Sequence, residues 1–200
     1  TRVRSSAASD VYKRQMKIIL IRHGEAASSW EKSADPGLSD LGKAQAEECS
    51  NQLLKLKNIN SFSLISSPLT RAKETSEPLS KKINVPVSVN PLFAEIPSPG
   101  INLSERKEWL QKIFKMKISD LEMPQKKWKD SIITELKNLD KPTIIFSHFM
   151  VINIIVSYLK ESDLIVSFYP DNCSITNLSK NSKGEIELIN LGSELQTEIN

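Results

Sequence analysis

Residues 16–24 read MKIILIRHG, an almost continuous apolar run that ends in Arg22, His23 and Gly24. Apolar residues without polar alternation are typical of a strand that is buried on both faces of a parallel sheet. Arg22 ends this pattern. We therefore predict that Arg22 and His23 lie at the carboxyl edge of a buried strand.

Strand and helix patterns alternate along the rest of the chain. Helices are predicted at 41–57, 67–82, 125–139 and 149–159, further strands at 62–66, 86–89 and 143–146, and a terminal hairpin at 173–178 and 185–191. Ser39 is the predicted N-cap of the first helix, and 181–184 form the hairpin turn. This order predicts an α/β fold, a three-layer sandwich with a mostly parallel central sheet and helices on both faces.

A single domain is predicted for residues 16–200, a length that can bury a core without disulfides or a structural metal. Proline and glycine interrupt the chain after residue 96, and a helix at 109–118 is expected to lie outside the sheet. We predict that 96–123 form a small cap insertion over a site. Residues 1–15 lack the apolar core of a secretory signal and are predicted to be a disordered or extraneous leader.

The composition, 39% hydrophobic and 26% charged, is that of an ordinary globular protein. The net charge of +3 arises in the first fifteen residues, so the remaining charges balance and nucleic acid is not an expected partner. The run 143–159 is interrupted by polar residues, and no membrane partner is expected.

Cys49 and Cys173 lie far apart in sequence, which favours free thiols and a cytoplasmic location, although a bridge remains an alternative.

The chain contains two histidines, His23 and His148, and each follows a predicted buried strand. Side chains at the carboxyl ends of parallel strands meet in the crevice where α/β sheets bind ligands. Arg22 precedes His23, and Arg71 lies in the first turn of the helix that follows a third strand. Because guanidinium groups bind phosphate oxygens through paired hydrogen bonds, this edge of the sheet is a candidate phosphate site.

Five segments in order, LIRHGEA, DPGLSDLGKAQA, SSPLTRAKET, LFAE and SHFMV, resemble the histidine phosphatase superfamily, also called phosphoglycerate mutase-like, from residue 17 to about 178. The resemblance implies that His23 is a nucleophile that forms a phosphohistidine, and that Arg22, Arg71 and His148 bind the phosphoryl oxygens. It implies that Glu95 is the proton donor and acceptor, for which Glu25 is an alternative. Ser29 stands where many members have Asn and can still donate to phosphate, and no metal or cofactor is implied.

The chain departs from that pattern beside the second histidine. Phe149 and Met150 replace the usual small residues, and Asn153 replaces a frequent arginine, so the rim of the pocket cannot be carried over by analogy. Lys126 to Lys129 with Trp128 are interpreted as a solvated helix face rather than a nucleic-acid surface. Arg106 and Lys107 are most simply facing solvent, with contact to an acidic substrate as the alternative.

These patterns predict a cofactor-independent phosphomonoesterase acting on a small phosphorylated metabolite or a phosphoprotein. Two alternatives remain at this point. A phosphoglycerate mutase would use the same chemistry, but the chain lacks the tryptophan-asparagine pair and the long insertion that mutases usually carry. A non-catalytic phosphate-binding regulatory domain would keep the pocket without turnover.

Overall fold

The structure, a computed structural model, describes residues 15–28 and 33–195. The predicted leader therefore lies, apart from Gln15, outside the described residues. The strands are β1 (Met16–Arg22), β2 (Ser63–Ser66), β3 (Val87–Val89), β4 (Thr143–Ser147), β5 (Ile175–Lys180) and β6 (Ile186–Asn190). The α-helices are α1 (Asp40–Leu53), α2 (Thr70–Ile83), α3 (Arg106–Phe114), α4 (Met123–Asn138) and α5 (Phe149–Leu159).

The strands form one sheet in the order β3-β2-β4-β1-β5-β6. Parallel pairing joins β3 to β2, β2 to β4 and β4 to β1, with Ile19 opposite Ile144 at the centre. The hairpin of β5 and β6 adds two antiparallel strands beside β1. The mostly parallel sheet of the sequence prediction is confirmed.

Helices cover both faces of this sheet because successive side chains of the buried strands point to opposite sides. On one face, Ile18 and Leu20 of β1 pack in a core cluster with α4 and α5. On the other face, Ile19 and Ile21 pack with residues of α1 and α2. The predicted three layers follow directly from this division of β1.

Several element ends differ from the predictions. Helix α2 begins at Thr70 rather than at 67, because Pro68 disfavours helical backbone at Ser67 and Leu69 is itself extended. Helix α3 ends at Phe114 rather than at 118, and a short 3-10 turn follows at Ile118–Asp120. Strand β5 begins at Ile175, because Cys173 has a positive φ of 56° and lies in a turn.

The segment between β3 and α4 contains helix α3 and short 3-10 turns but no strand of the sheet. Its apolar side chains Ile96, Leu110 and Ile113 pack against Phe149 and Met150 at the start of α5. The segment therefore lies over the end of the sheet where β4 finishes.

The two cysteines are free, yet they are neighbours in the fold. Cys49 of α1 and Cys173 pack in the same core cluster and line the same surface cavity. The backbone amide of Cys173 donates to the carbonyl oxygen of Arg22 at 3.0 Å. Their distance in sequence was thus no guide to their distance in space.

Among the helices of residues 15–28 and 33–195, none combines the length and the apolar character that crossing a membrane requires.

Candidate active site

Three strand ends meet at one edge of the sheet, and backbone hydrogen bonds hold them together. The amide of His23 donates to the carbonyl oxygen of Ser147 at 2.9 Å, which extends the β1–β4 ladder past the strand end. The amide of Ser67 donates to the carbonyl oxygen of Phe146, also at 2.9 Å. These bonds bring the loops that follow β1, β2 and β4 to a common edge.

His23 is 4% exposed, and its ring has a defined tautomer. Nδ1 lies 2.7 Å from the carbonyl oxygen of Gly24, which can only accept a hydrogen bond, so Nδ1 carries the proton. Nε2 therefore presents its lone pair, toward which the Nε–H of Arg71 points at 3.1 Å. Burial, with the charges of Arg71 and Arg22, holds the pKa of His23 well below its ordinary value, so the ring is a neutral imidazole.

His148 lies beside His23, with 5.1 Å between the ring centroids. Its Nε2 is 2.6 Å from the hydroxyl oxygen of Ser67, and its buried Nδ1 has no hydrogen-bond partner among the described residues. Burial and the neighbouring His23 and arginines lower the pKa of His148 well below its ordinary value. A neutral ring with one nitrogen uncommitted can donate a hydrogen bond to a bound anion.

Two guanidinium groups, those of the buried Arg71 and the half-buried Arg22, converge on the histidines. Arg71 is 2% exposed, and its Nη1 lies 3.9 Å from a carboxylate oxygen of Asp35 without a hydrogen bond to any described residue. Arg22 donates from Nη1 to the carbonyl oxygen of Pro170 at 2.7 Å, while its buried Nε is unpartnered among the described residues. Both groups keep donors available for an oxyanion, and arginine stays charged at any working pH.

Glu95 places a buried carboxyl group beside these cations. Its Oε1 accepts from the amides of Ile96 at 3.1 Å and Met150 at 3.3 Å, and Oε2 is unpartnered among the described residues. Burial raises the pKa of Glu95, against the opposing charges of Arg71, Arg106 and Arg22. A carboxyl group that holds its proton more firmly than usual is suited to donate it to a departing oxygen.

Glu25, the alternative to Glu95, points toward helix α1. Its carboxylate accepts a hydrogen bond from the hydroxyl of Ser39 at 2.7 Å, and Ser39 in turn accepts from the amide of Gly42 as the N-cap of α1. The carboxylate of Glu25 is thus used in fixing the start of a helix.

Sequence reasoning missed two contributors to the site. Arg106, expected at the solvent with contact to an acidic substrate as the alternative, is half-buried. Its buried Nε has no hydrogen-bond partner among the described residues, and its charge acts on Glu95, Arg71 and His148. Ser67 was expected only as a helix start, whereas its hydroxyl contacts His148. The SSP tripeptide is the one sequence signal for Ser67, and helical periodicity gives none for Arg106.

Close packing fixes the loop after His23. The amide of Gly24 donates to the hydroxyl of Thr75 at 3.0 Å. A Cβ on Gly24 would lie 2.6 Å from the carbonyl oxygen of Gly42, and a Cβ on Gly42 would clash with the carbonyl oxygen of Glu25. Glycine at both positions lets this loop lie directly on helix α1.

Two further residues, Ser29 and Asn153, were considered for the site from the sequence. Ser29 lies outside the described residues. Asn153, expected at the pocket rim, is instead fully buried and accepts from the amides of Ser167 and Phe168, because an amide side chain on the inner face of α5 must satisfy its own polar groups. Within the described ranges, no group of three or more His, Cys, Asp or Glu side chains is arranged to hold a metal ion.

Comparison with known proteins identifies a family for the chain. The family model described as histidine phosphatase superfamily (branch 1) matches residues 18–191. No curated protein sequence gives a match to the chain.

Solved structures share the fold. A phosphoserine phosphatase from Entamoeba histolytica, in complex with 3-phosphoglyceric acid, is 24% identical with a TM-score of 0.69 and covers 90% of this chain and 98% of its own. A mycobacterial glucosyl-3-phosphoglycerate phosphatase is 18% identical with a TM-score of 0.68, covering 90% of this chain and 100% of its own. The same mycobacterial protein with inorganic phosphate has a TM-score of 0.67 at 18% identity, covering 91% of this chain and 99% of its own.

Proposed function

Because the chain belongs to the histidine phosphatase superfamily, we propose that it hydrolyses phosphomonoesters and that His23 carries the phosphoryl group between the two half-reactions. The observation that carries this proposal is the neutral His23, whose Nε2 lone pair faces a buried guanidinium group. An imidazole in this tautomer is a nucleophile without the help of a separate base.

In the first half-reaction, Nε2 of His23 attacks phosphorus and the bond from phosphorus to the ester oxygen breaks. Glu95 gives its proton to that oxygen, so the alcohol leaves in neutral form. Its raised pKa supports this role, because the proton is retained further toward neutral pH. The products are a phosphohistidine and a carboxylate on Glu95.

In the second half-reaction, water attacks phosphorus and the bond from phosphorus to Nε2 breaks. The carboxylate of Glu95 accepts a proton from the attacking water, which restores the starting state and releases inorganic phosphate. One carboxyl group thus serves both steps, and atoms and charge balance over the cycle.

The transferring group is held by positive charge and hydrogen-bond donors. Arg22 and Arg71 have buried donors that no described residue uses, and the same is true of Nδ1 of His148. Donors fixed in a site that excludes water stabilise the charge on the equatorial oxygens without reorganisation. We assign phosphoryl binding to these three residues and, by family resemblance, to Ser29.

We also propose roles for the cap segment, a class of substrate and a cellular compartment. Residues 96–123 act as the cap that shapes the leaving-group side, since their apolar residues pack on Phe149 at the start of α5. The substrate is a small phosphorylated metabolite or a phosphoprotein, in line with the 3-phosphoglyceric acid bound by the Entamoeba histolytica relative.

Free thiols at Cys49 and Cys173 support a reducing, cytoplasmic compartment.

The direct test is phosphate release from p-nitrophenyl phosphate by wild type and His23→Ala in parallel. We expect the variant to lose almost all activity, and rapidly quenched wild type to carry one phosphoryl group on His23 that is stable in alkali and lost in acid. Equal release by both proteins would refute the nucleophile assignment.

Wild-type protein assayed with phosphoglycerate as the substrate separates the alternatives. Isomerised phosphoglycerate without free phosphate would identify a mutase. Phosphate affinity in wild-type protein without labelling or turnover would identify a non-catalytic binding domain.

A further inference from the structure

An apolar cleft opens beside the candidate active site. Its cavity of about 270 Å³ lies between helix α3, the start of α5 and the loop before β5. The residues that line it include Arg22, Phe114, Phe149 and Tyr169.

Aromatic rings form the walls of this cleft. Phe114 and Phe149 stack at 5.1 Å between centroids with 26° between their planes, and Tyr169 meets Phe149 at 5.7 Å. Tyr169 is 45% exposed, so its ring forms the outer rim. Aromatic faces and edges of this kind attract a further ring through offset stacking or edge-to-face contact.

Two residues connect the cleft to the candidate phosphate site. Arg22 lines the cleft, and its guanidinium carbon lies 5.6 Å from the centroid of the Phe149 ring. Phe149 directly follows His148 in the chain. A phosphoryl group held by Arg22 and His148 would therefore lie next to this wall.

We propose that this cleft binds the leaving group and that the preferred substrates are phosphomonoesters carrying an aromatic ring close to the ester oxygen. The inference rests on the proposed phosphatase function and specifies its substrate class. An apolar cavity of roughly 150 Å³ is enough to bind benzene. The cleft therefore has room for one ring and the short linker that joins it to the phosphate.

The test compares benzyl phosphate with phosphoserine. Both leaving groups are ordinary alcohols, so a preference for benzyl phosphate reports binding rather than the reactivity of an aryl ester. We expect kcat/KM for benzyl phosphate to exceed that for phosphoserine by about tenfold or more, mainly through KM. Equal values, or a preference for phosphoserine, would overturn the proposal.

Two tyrosines provide a matched pair of variants. Tyr169→Ala removes the rim of the cleft, and we expect the ratio of kcat/KM for benzyl phosphate over phosphoserine to fall about fivefold. Tyr158→Ala removes a ring of similar exposure, 41%, at the carboxyl end of α5, away from the cleft. This variant should leave the ratio unchanged. Phe114→Leu, which keeps apolar volume without the ring, should lower the ratio as Tyr169→Ala does. Unchanged ratios in both cleft variants would contradict the assignment.

The outcomes also separate this inference from the proposed function. Release of phosphate from both esters without an aromatic preference would refute only the cleft assignment. Absence of phosphate release and of labelling on His23 with every ester would refute the phosphatase function itself.

Discussion

Glu95 combines a buried carboxyl group with a raised pKa, and this makes its role testable through the leaving group. In Glu95→Gln, no proton can be given to the departing oxygen. We expect kcat for an alkyl phosphate to fall by about 10²–10⁴, the usual contribution of a general acid, and kcat for p-nitrophenyl phosphate to fall less because that anion leaves unaided.

The pH dependence gives a second measurement. Glu95 must be protonated to donate, so activity on an alkyl phosphate should decline as pH rises through its raised pKa. The basic limb of a plot of kcat against pH should vanish in Glu95→Gln. Equal losses on both esters, with the limb retained, would assign the proton to another group.

Arg106 adds a third guanidinium group from helix α3, and its charge reaches Glu95, Arg71 and His148. We expect Arg106→Gln to lower kcat/KM for phosphomonoesters by roughly tenfold, as the loss of one charged donor near a bound phosphate would. Lys112→Gln, on the same helix but exposed and paired with Glu108, is the matched control and should have no effect. Equal kinetics of the two variants would place Arg106 outside the site.

At the scale of single residues, the sequence predicted those side chains that follow buried strands or start the next helix. His23 and His148 were found in this way, because parallel strands end at one edge whatever their separation along the chain. Arg106 was not, because its direction depends on how α3 packs over the sheet, and helical periodicity in an exposed segment does not determine that packing.

Among the helices, α1 makes the tightest contact with the loop that carries His23. Ala at an interior helix position is normally more stable than Gly by up to about 1 kcal/mol. For Gly42→Ala we expect the opposite sign, a loss of about 1–3 kcal/mol in the free energy of unfolding, because the new Cβ clashes with the backbone of Glu25. Urea unfolding measures this, and activity should fall as the loop moves.

Lys43→Ala, next to Gly42 on the exposed side of α1, is the control for that substitution. Its side chain is paired only with the exposed Asp40 in the described part of the chain, so stability should change little. A stabilised Gly42→Ala would show that the loop can move away without cost.

Element types were predictable from sequence to a greater extent than element ends. The apolar run of β4 and the N-cap Ser39 of α1 are strong local signals, and both elements begin within one residue of the prediction, although α1 ends at Leu53 rather than at 57. The starts of α2 and β5 were predicted wrongly, because the backbone is extended at Leu69 and has a positive φ at Cys173.

For the molecule as a whole, the buried neutral histidines link folding to pH. An unfolded chain binds protons on both rings below about pH 6.5, whereas the folded pKa values of His23 and His148 lie lower. The contribution of the two histidines to the free energy of unfolding is therefore fully present above pH 6.5 and is lost as pH falls below it. The raised pKa of Glu95 has the opposite effect, because this group makes the folded state less stable as pH rises.

We expect the free energy of unfolding to fall by roughly 1 kcal/mol per histidine between pH 7 and pH 5.5. The double variant His23→Gln, His148→Gln retains Glu95, so its unfolding free energy should decline less over the same interval. Parallel curves for the two proteins in urea titrations would show that neither ring is kept neutral by folding.

The order of strands in the sheet also governs how the protein is made. Both neighbours of β1 come from the last third of the chain, β4 at 143–147 and β5 at 175–180. Until β4 has been translated, the strand that precedes His23 has no partner strand, and its apolar residues stay exposed in the nascent chain. The catalytic edge can close only after β4 and β5 have been synthesised, so products released before that point are expected to be inactive and prone to aggregate.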